Sequence, residues 1–183
     1  MWTDLTDTLD ALRDLPRTVE DVATLMHGLT SSVLRPTRAP DRTLPWGRYL
    51  VHADPEGRYN LQLDVFSAAY RGEVHAHGTW GAFWILQGAL LVTDCELVEG
   101  AAHVQRVARL VAGGCQCFCP PASDWHRVAT PPAGPQTVSL HLYGPGFDLT
   151  TGVALIDGAP CTYRRGPLGE FSQIASAFVE RPD

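Results

Sequence analysis

Between Trp46 and Phe147 apolar and polar residues alternate in short runs, broken every few positions by Gly, Pro or Asp. Alternation of this kind has the period of a β-strand whose two faces meet different surroundings. It predicts strands over 47–53, 58–66, 73–77, 81–87, 89–95, 103–110, 115–119, 125–129 and 136–143. Turns fall at Asp54–Gly57, Gly88, Glu99-Gly100, Gly113-Gly114, Pro120-Pro121 and Pro131-Pro132. Many short strands at near-regular spacing predict a sandwich or a barrel.

The ends of the chain read differently. Leu5, Leu9 and Leu12 recur at helical spacing until Pro16, and Thr18 with Asp21 three residues on marks the start of a second helix carrying Val22, Leu25, Met26 and Leu29. Residues 35–45 hold three prolines and no period, and read as a linker. Beyond Phe147 two further strands are expected at Val153–Ile156 and Cys161–Tyr163, and Phe171, Ile174, Ala175 and Phe178 have the spacing of a C-terminal helix. At 183 residues this amounts to one domain, 1–183: N-terminal helices over 1–34, the linker, a β-barrel over 46–165 and a tail over 166–183.

Composition narrows the partners. Charged residues make up 19% of the chain and the formal net charge is −6, with the arginines scattered, so no basic face is expected for nucleic acid or an anionic membrane. No run reaches the roughly 18 apolar residues of a membrane-spanning helix, and the acidic N-terminus is unlike a secretory signal, so a cytoplasmic location is expected. The five cysteines then read as free thiols. Cys115, Cys117 and Cys119 would share a strand face, but the outer pair, about 13 Å apart, cannot close on one ion, so packing is their expected role. Cys95 and Cys161 read as buried small hydrophobes, and His27, His52 and His103 as surface or packing residues.

The chemistry centres on His75 and His77. On a strand, imidazoles at i and i+2 point to one face about 6.5–7 Å apart, so both can reach one cation. His126, within the segment Asp124-Trp125-His126, supplies a third nitrogen. Metal held by inward-pointing ligands favours a closed barrel. Ser139, His141 and Tyr143 also alternate along one strand and share a face. They read either as a hydrogen-bonded chain serving the site or as core residues with satisfied polar ends.

The order of these motifs resembles the cupin superfamily: His75-Ala76-His77, Gly88 eleven residues on, and a lone His126 about fifty residues later. The closer resemblance is to the thiol dioxygenases of the cysteine dioxygenase and 3-mercaptopropionate dioxygenase family. It is carried by Trp125-His126-Arg127-Val128, by Val138 to Phe147 with its Ser-Leu-His-Leu-Tyr run, by the Arg48 and Arg58 strands, and by Gly78-Thr79-Trp80-Gly81. The resemblance covers roughly residues 44–150. It implies a mainly β, single-domain cupin β-barrel, a double-stranded β-helix with the N-terminal helices packed outside.

The resemblance further implies Fe(II) held by His75, His77 and His126, with Ser139, His141 and Tyr143 as a relay to the iron site. Arg48 and Tyr143 would contact the substrate. The implied partners are a small thiol and O2, with no nucleic acid and no membrane, in a monomer or homodimer. The reaction would turn the thiol, L-cysteine first among candidates, into its sulfinic acid. Most mononuclear non-haem iron sites include a carboxylate. Here Gly81 or Ala82 stands where an acidic ligand is expected, so three neutral imidazoles would leave a +2 charge for a thiolate to answer. The α-amine of the substrate is a candidate second donor. The chain departs from the family at Ala76, where an acidic residue is usual, at Gly81 or Ala82, which removes the cysteine of the vertebrate crosslink, and at Trp84, expected to add bulk to the pocket. These departures leave room for an enzyme that diverts oxygenated cysteine to another sulfur product. Zinc or nickel in the same site would instead suit a hydrolase or isomerase, and an inert ligand-binding sensor is a third class.

Overall fold

A computed structural model of the protein describes residues 7, 9, 16, 18–29, 43–120 and 124–178. The second expected helix is present as α1 (Val19–Leu29). Its start is a reciprocal cap: the Thr18 N–H donates to Asp21 Oδ2 at 3.0 Å, and the Asp21 N–H donates to Thr18 Oγ1 at 3.1 Å. Of the first expected helix, Asp7 and Leu9 are helical and Leu9 is fully buried. Its remaining positions, and most of the 35–45 linker, lie outside the described residues.

Among the described residues twelve strands follow: β1 (Gly47–Ala53), β2 (Asn60–Phe66), β3 (His75–Ala76), β4 (Gly81–Gln87), β5 (Ala89–Val98), β6 (Ala101–Val111), β7 (Cys115–Phe118), β8 (His126–Ala129), β9 (Thr137–Tyr143), β10 (Thr151–Ile156), β11 (Ala159–Arg164) and β12 (Leu168–Glu170). They form two six-stranded sheets, β12-β1-β2-β9-β4-β7 and β11-β10-β3-β8-β5-β6. Every named pairing is antiparallel except that of β1 with β12. Strands adjacent in sequence lie in different sheets at several crossings, the pattern of a double-sheet jelly roll. The expected fold class is therefore the observed one.

Turn chemistry sets both the in-sheet hairpins and a crossing between sheets. Glu99-Gly100 and Asp157-Gly158 have positive φ at both residues, the type I′ geometry that matches the twist of a two-residue hairpin. Gly88, φ 76°, carries the chain from β4 in one sheet to β5 in the other. A Cβ there would lie 2.7 Å from Thr137 Oγ1 and 2.8 Å from the Gln136 carbonyl, so only glycine passes without a shift.

The tail departs from expectation. Residues 168–170 form β12, parallel to β1, and the expected C-terminal helix is two short 3₁₀ turns, Phe171–Gln173 and Ala175–Phe178. Spacings of three satisfy a 3₁₀ turn as well as an α-helix, and the run is too short to continue. Among the described residues no helix is long and apolar enough to cross a membrane.

The sheet containing β2, β9 and β4 is covered on both faces. Its outer face presents Leu61, Leu63, Val138, Leu140, Leu142, Ala82 and Trp84 to Val22 and Met26 of α1 and to Ile174 and Phe178 of the tail, forming the larger apolar core. Its inner face turns Gln62, Asp64, Ser139, His141 and Tyr143 into the barrel, above a smaller cluster that includes Phe83, Ile85, Leu90, Val92 and Phe118. Trp84, one position from Phe83, thus packs outside and leaves the pocket's shape to others, contrary to the expectation from sequence. Cys95 and Cys161 are half-buried rather than buried. Leu140→Ala, which empties the centre of the outer core, is expected to lower the unfolding free energy by about 2–5 kcal/mol in a denaturant titration.

Candidate metal centre and the cavity around it

His75 lies on β3 directly opposite His126, the first residue of β8, and His77 follows one residue past the end of β3. One nitrogen of each ring lies within 4.8 Å of the others, and the ring centroids are 4.8–4.9 Å apart. Two donors on one ion at about 2.1 Å can stand at most about 4.2 Å apart, so small side-chain rotations close this set on a metal.

The outward nitrogens are already engaged. His75 Nδ1 is 3.0 Å from the Glu73 carbonyl oxygen, and His77 Nδ1 is 3.2 Å from Asp124 Oδ1. Each contact fixes its ring and leaves Nε2 as the ligating atom. Asp124 does more than orient one ring. It also accepts the backbone N–H groups of His77 and Gly78, each at 2.8 Å, and so holds the bend that turns His77 inward.

Desolvation favours the uncharged form of all three rings, although His75 is only half-buried. The side chain of His77 is 2% exposed and His126 is 4% exposed. Desolvation holds the His75 imidazole below its ordinary range. For His77 and His126 desolvation, with the neighbouring His75 adding, lowers it much further. Neutral imidazoles are what a metal takes.

No carboxylate can join them from Gly81. A Cβ at Gly81 would collide with the Phe118 ring and lie 2.8 Å from the Leu142 carbonyl oxygen. Phe118 is itself 2% exposed and stacks on His77 with centroids 4.6 Å apart. The place an acidic ligand would occupy is filled by an aromatic ring.

The polar chain is continuous. Ser139 Oγ is 2.7 Å from His141 Nε2, and the Tyr143 hydroxyl is 3.1 Å from His141 Nδ1. With the His141 proton on Nδ1, the ring donates to Tyr143 and accepts from Ser139, which frees the phenolic hydrogen for a ligand in the cavity. Burial, first among the causes, pushes the Tyr143 hydroxyl far above its ordinary range, so it stays protonated. Tyr143 is packed between Phe147, stacked at 3.8 Å, and the His77 ring at 5.0 Å.

These groups share one cavity of about 390 Å³, into which Arg48, Asp64 and Arg165 also face. Arg48 gives Nη2 to Gln62 Oε1 at 2.8 Å and Nη1 to the carbonyls of Gly166 and Leu149 at 3.3 and 3.4 Å. Arg165 lies 4.4 Å over the Phe147 ring, with Nε given to the Asp148 and Thr151 carbonyls.

Six of the residues expected at the site from sequence line this space, His75, His77, His126, His141, Tyr143 and Arg48, while Ser139 is fully buried behind His141. Asp124, Asp64 and Arg165 were not expected. Asp124 sits two residues before His126, as His75 does before His77, and the same-face rule could have flagged it. Asp64 ends a polar alternation with Asn60 and Gln62 inside an otherwise apolar strand, a mark of barrel lining. Arg165 lies beyond the last strong period and carried no signal. Asp124→Ala is expected to weaken metal binding about 10–100-fold in a chelator-competition titration, because both the His77 ring and its backbone bend lose their anchor.

No family model matches the chain. Solved structures with a similar course include KdgF from Halomonas sp., 19% identical over 55% of this chain and 79% of that one, with a TM-score of 0.44. A cupin superfamily protein from Desulfitobacterium hafniense is 14% identical over 60% and 95%, TM-score 0.42. A cupin 2 domain-containing protein from Halorhodospira halophila is 14% identical over 77% and 88%, TM-score 0.46.

Proposed function

We propose that the protein is a mononuclear ferrous thiol dioxygenase that converts a small thiol, RSH, and O2 into the sulfinic acid RSO2H, both oxygen atoms ending on sulfur. The observation that supports this reading most is the donor set: three neutral imidazoles, two buried and one half-buried, with the Phe118 ring filling the space a side chain at Gly81 would enter. A dication held this way keeps its full charge in a low-dielectric pocket, and a thiolate is the substrate group that answers it. Bound there, ferrous iron would supply the point at which thiolate and dioxygen are brought together and activated.

The chain's own residues do the rest. Phe83, Phe118 and Phe147 wall the centre with apolar rings that displace water. Tyr143, kept protonated and oriented by His141 and Ser139, donates a hydrogen bond toward the reacting groups. A substrate carboxylate meets a guanidinium, which stays charged when desolvated. Arg48 has three of its contacts made already, whereas Arg165 has its Nε tied and its plane stacked, so both are tested.

Reconstitution with Fe(II), but not with Zn(II), is expected to give oxygen uptake on adding cysteine, with one sulfinate formed per O2 by mass spectrometry. His126→Ala is expected to abolish iron binding and uptake together, and Tyr143→Phe to keep iron while slowing turnover roughly a hundredfold. Oxygen-independent hydrolysis or isomerisation by the zinc form, with an inert iron form, would overturn the reading. Arg48→Ala and Arg165→Ala are each expected to raise KM for 3-mercaptopropionate far more than for cysteamine. Equal effects on both thiols would remove the carboxylate role.

A further inference from the structure

The metal cavity has a larger neighbour. A second cavity, of about 610 Å³ against about 390 Å³, adjoins it, and five residues line both: Arg48, Asp64, Phe66, Tyr70 and Gly166. Phe66 and Tyr70, tilted against each other with ring centroids 5.1 Å apart, carry an aromatic surface from one space into the other. At Gly166 a Cβ would meet nothing within 4 Å, so that edge of the boundary is bare.

The two spaces differ in chemistry. Besides its histidines, the metal cavity is lined by the charged side chains Arg48, Asp64, Arg71, Glu73 and Arg165. The second cavity has only Arg48 and Asp64, and both belong to the shared boundary. Arg48 is already engaged there with Gln62 and with the carbonyls of Leu149 and Gly166. Beyond that boundary the lining is uncharged and mainly apolar, with Trp46, Tyr49, Pro167 and Leu168.

Trp46 is the anomaly. Its side chain lines the second cavity while 77% exposed, and it makes no hydrogen bond or ring contact among the described residues. A single exposed apolar residue is ordinary, but a bare indole on an aromatic cavity leaves a stacking face with nothing on it. Charge therefore fades with distance from the histidines, and the uncharged end offers a ring surface.

We propose that the two cavities act as one binding site and that the substrate is a thiol with a long uncharged body ending in an aromatic ring, sulfur at the three-histidine centre and ring against Trp46. The inference rests on the thiol reading above and extends its substrate class beyond the small thiols. Apolar burial at the far end supplies affinity without touching the reacting sulfur, and anchoring both ends fixes the sulfur's approach.

The test uses the Zn(II)-loaded protein, which binds thiols without consuming oxygen, and calorimetry at pH 7. The probes are N-acetylcysteamine and N-acyl cysteamines whose acyl chain ends in a phenyl ring, the chain lengthened by single methylenes. Affinity is expected to peak at one chain length, about tenfold or more above N-acetylcysteamine, and to fall beyond it. Trp46→Ala is expected to remove about fivefold of that gain and to leave N-acetylcysteamine within about twofold, which also reports that the variant is folded. Trp46→Phe, which keeps a ring, is expected to retain the gain. The S-methyl ether of the best compound is expected to bind about tenfold more weakly, because its sulfur cannot become a thiolate.

Four results would overturn the proposal: no gain from the ring, a gain untouched by Trp46→Ala, affinity climbing with every methylene in wild type and variant alike, or a thioether as tight as its thiol. The third is the mark of unspecific apolar binding, and the last makes the second cavity a separate site. Oxygen-electrode runs on the Fe(II) form separate the two readings. A Trp46-dependent gain without oxygen uptake removes the dioxygenase reading alone, and uptake on cysteine without that gain removes this one alone.

Discussion

Strand β9 is buried at all seven of its residues, and the rest of the molecule is arranged around that fact. A strand turns successive side chains to opposite faces, so full burial demands two separate coverings. One is supplied by α1 and the tail over Val138, Leu140 and Leu142. The other is the barrel interior over Ser139, His141 and Tyr143. Because the larger apolar core lies outside the barrel, the interior can be given over to polar groups. The neighbouring β2 obeys the same rule, with Leu61 and Leu63 on one side and Gln62 and Asp64 on the other.

Charge is distributed inside the barrel with similar economy. Histidines brought together and desolvated stay neutral, and the one carboxylate tied to them, Asp124, is directed at Nδ1 and at two backbone N–H groups rather than into the ligand space. Phe118 then fills the space where another acid would stand. What remains open to the cavity is three guanidiniums, three phenols and the carboxylates of Asp64 and Glu73. The wall is therefore mixed in sign, which suits a ligand bearing both charges better than one bearing either.

Much of this was legible in the sequence, and for local reasons. The strands from Gly47 to Tyr143 are separated by turn residues whose chemistry is short-range, and their order fixed the barrel before any contact was known. The His-x-His pair announced itself because strand periodicity puts i and i+2 on one face, although β3 stops at Ala76 and Asp124 holds the bend that turns His77 inward. What escaped depended on non-local packing. Asp64 stands opposite Arg48 in register, yet Arg48 is drawn away by carbonyls more than a hundred positions distant in sequence. Trp84 looked like a pocket residue by its proximity to Phe83, and one step along a strand reverses the face. The tail misled because a spacing of three fits two kinds of helix, and nothing nearby in sequence announced that β12 would pair with β1.

The double covering of β2 and β9 has an evolutionary corollary. Positions that hold the scaffold together and positions that choose the ligand are interleaved letter by letter in the gene yet never touch across the sheet. Descendants of this chain can therefore trade one inward side chain for another, drifting between related metabolites, without eroding the melting temperature that the outward ones secure. Insertion or deletion of a single codon within these strands is the change such a lineage does not survive, since it exchanges the two sets wholesale.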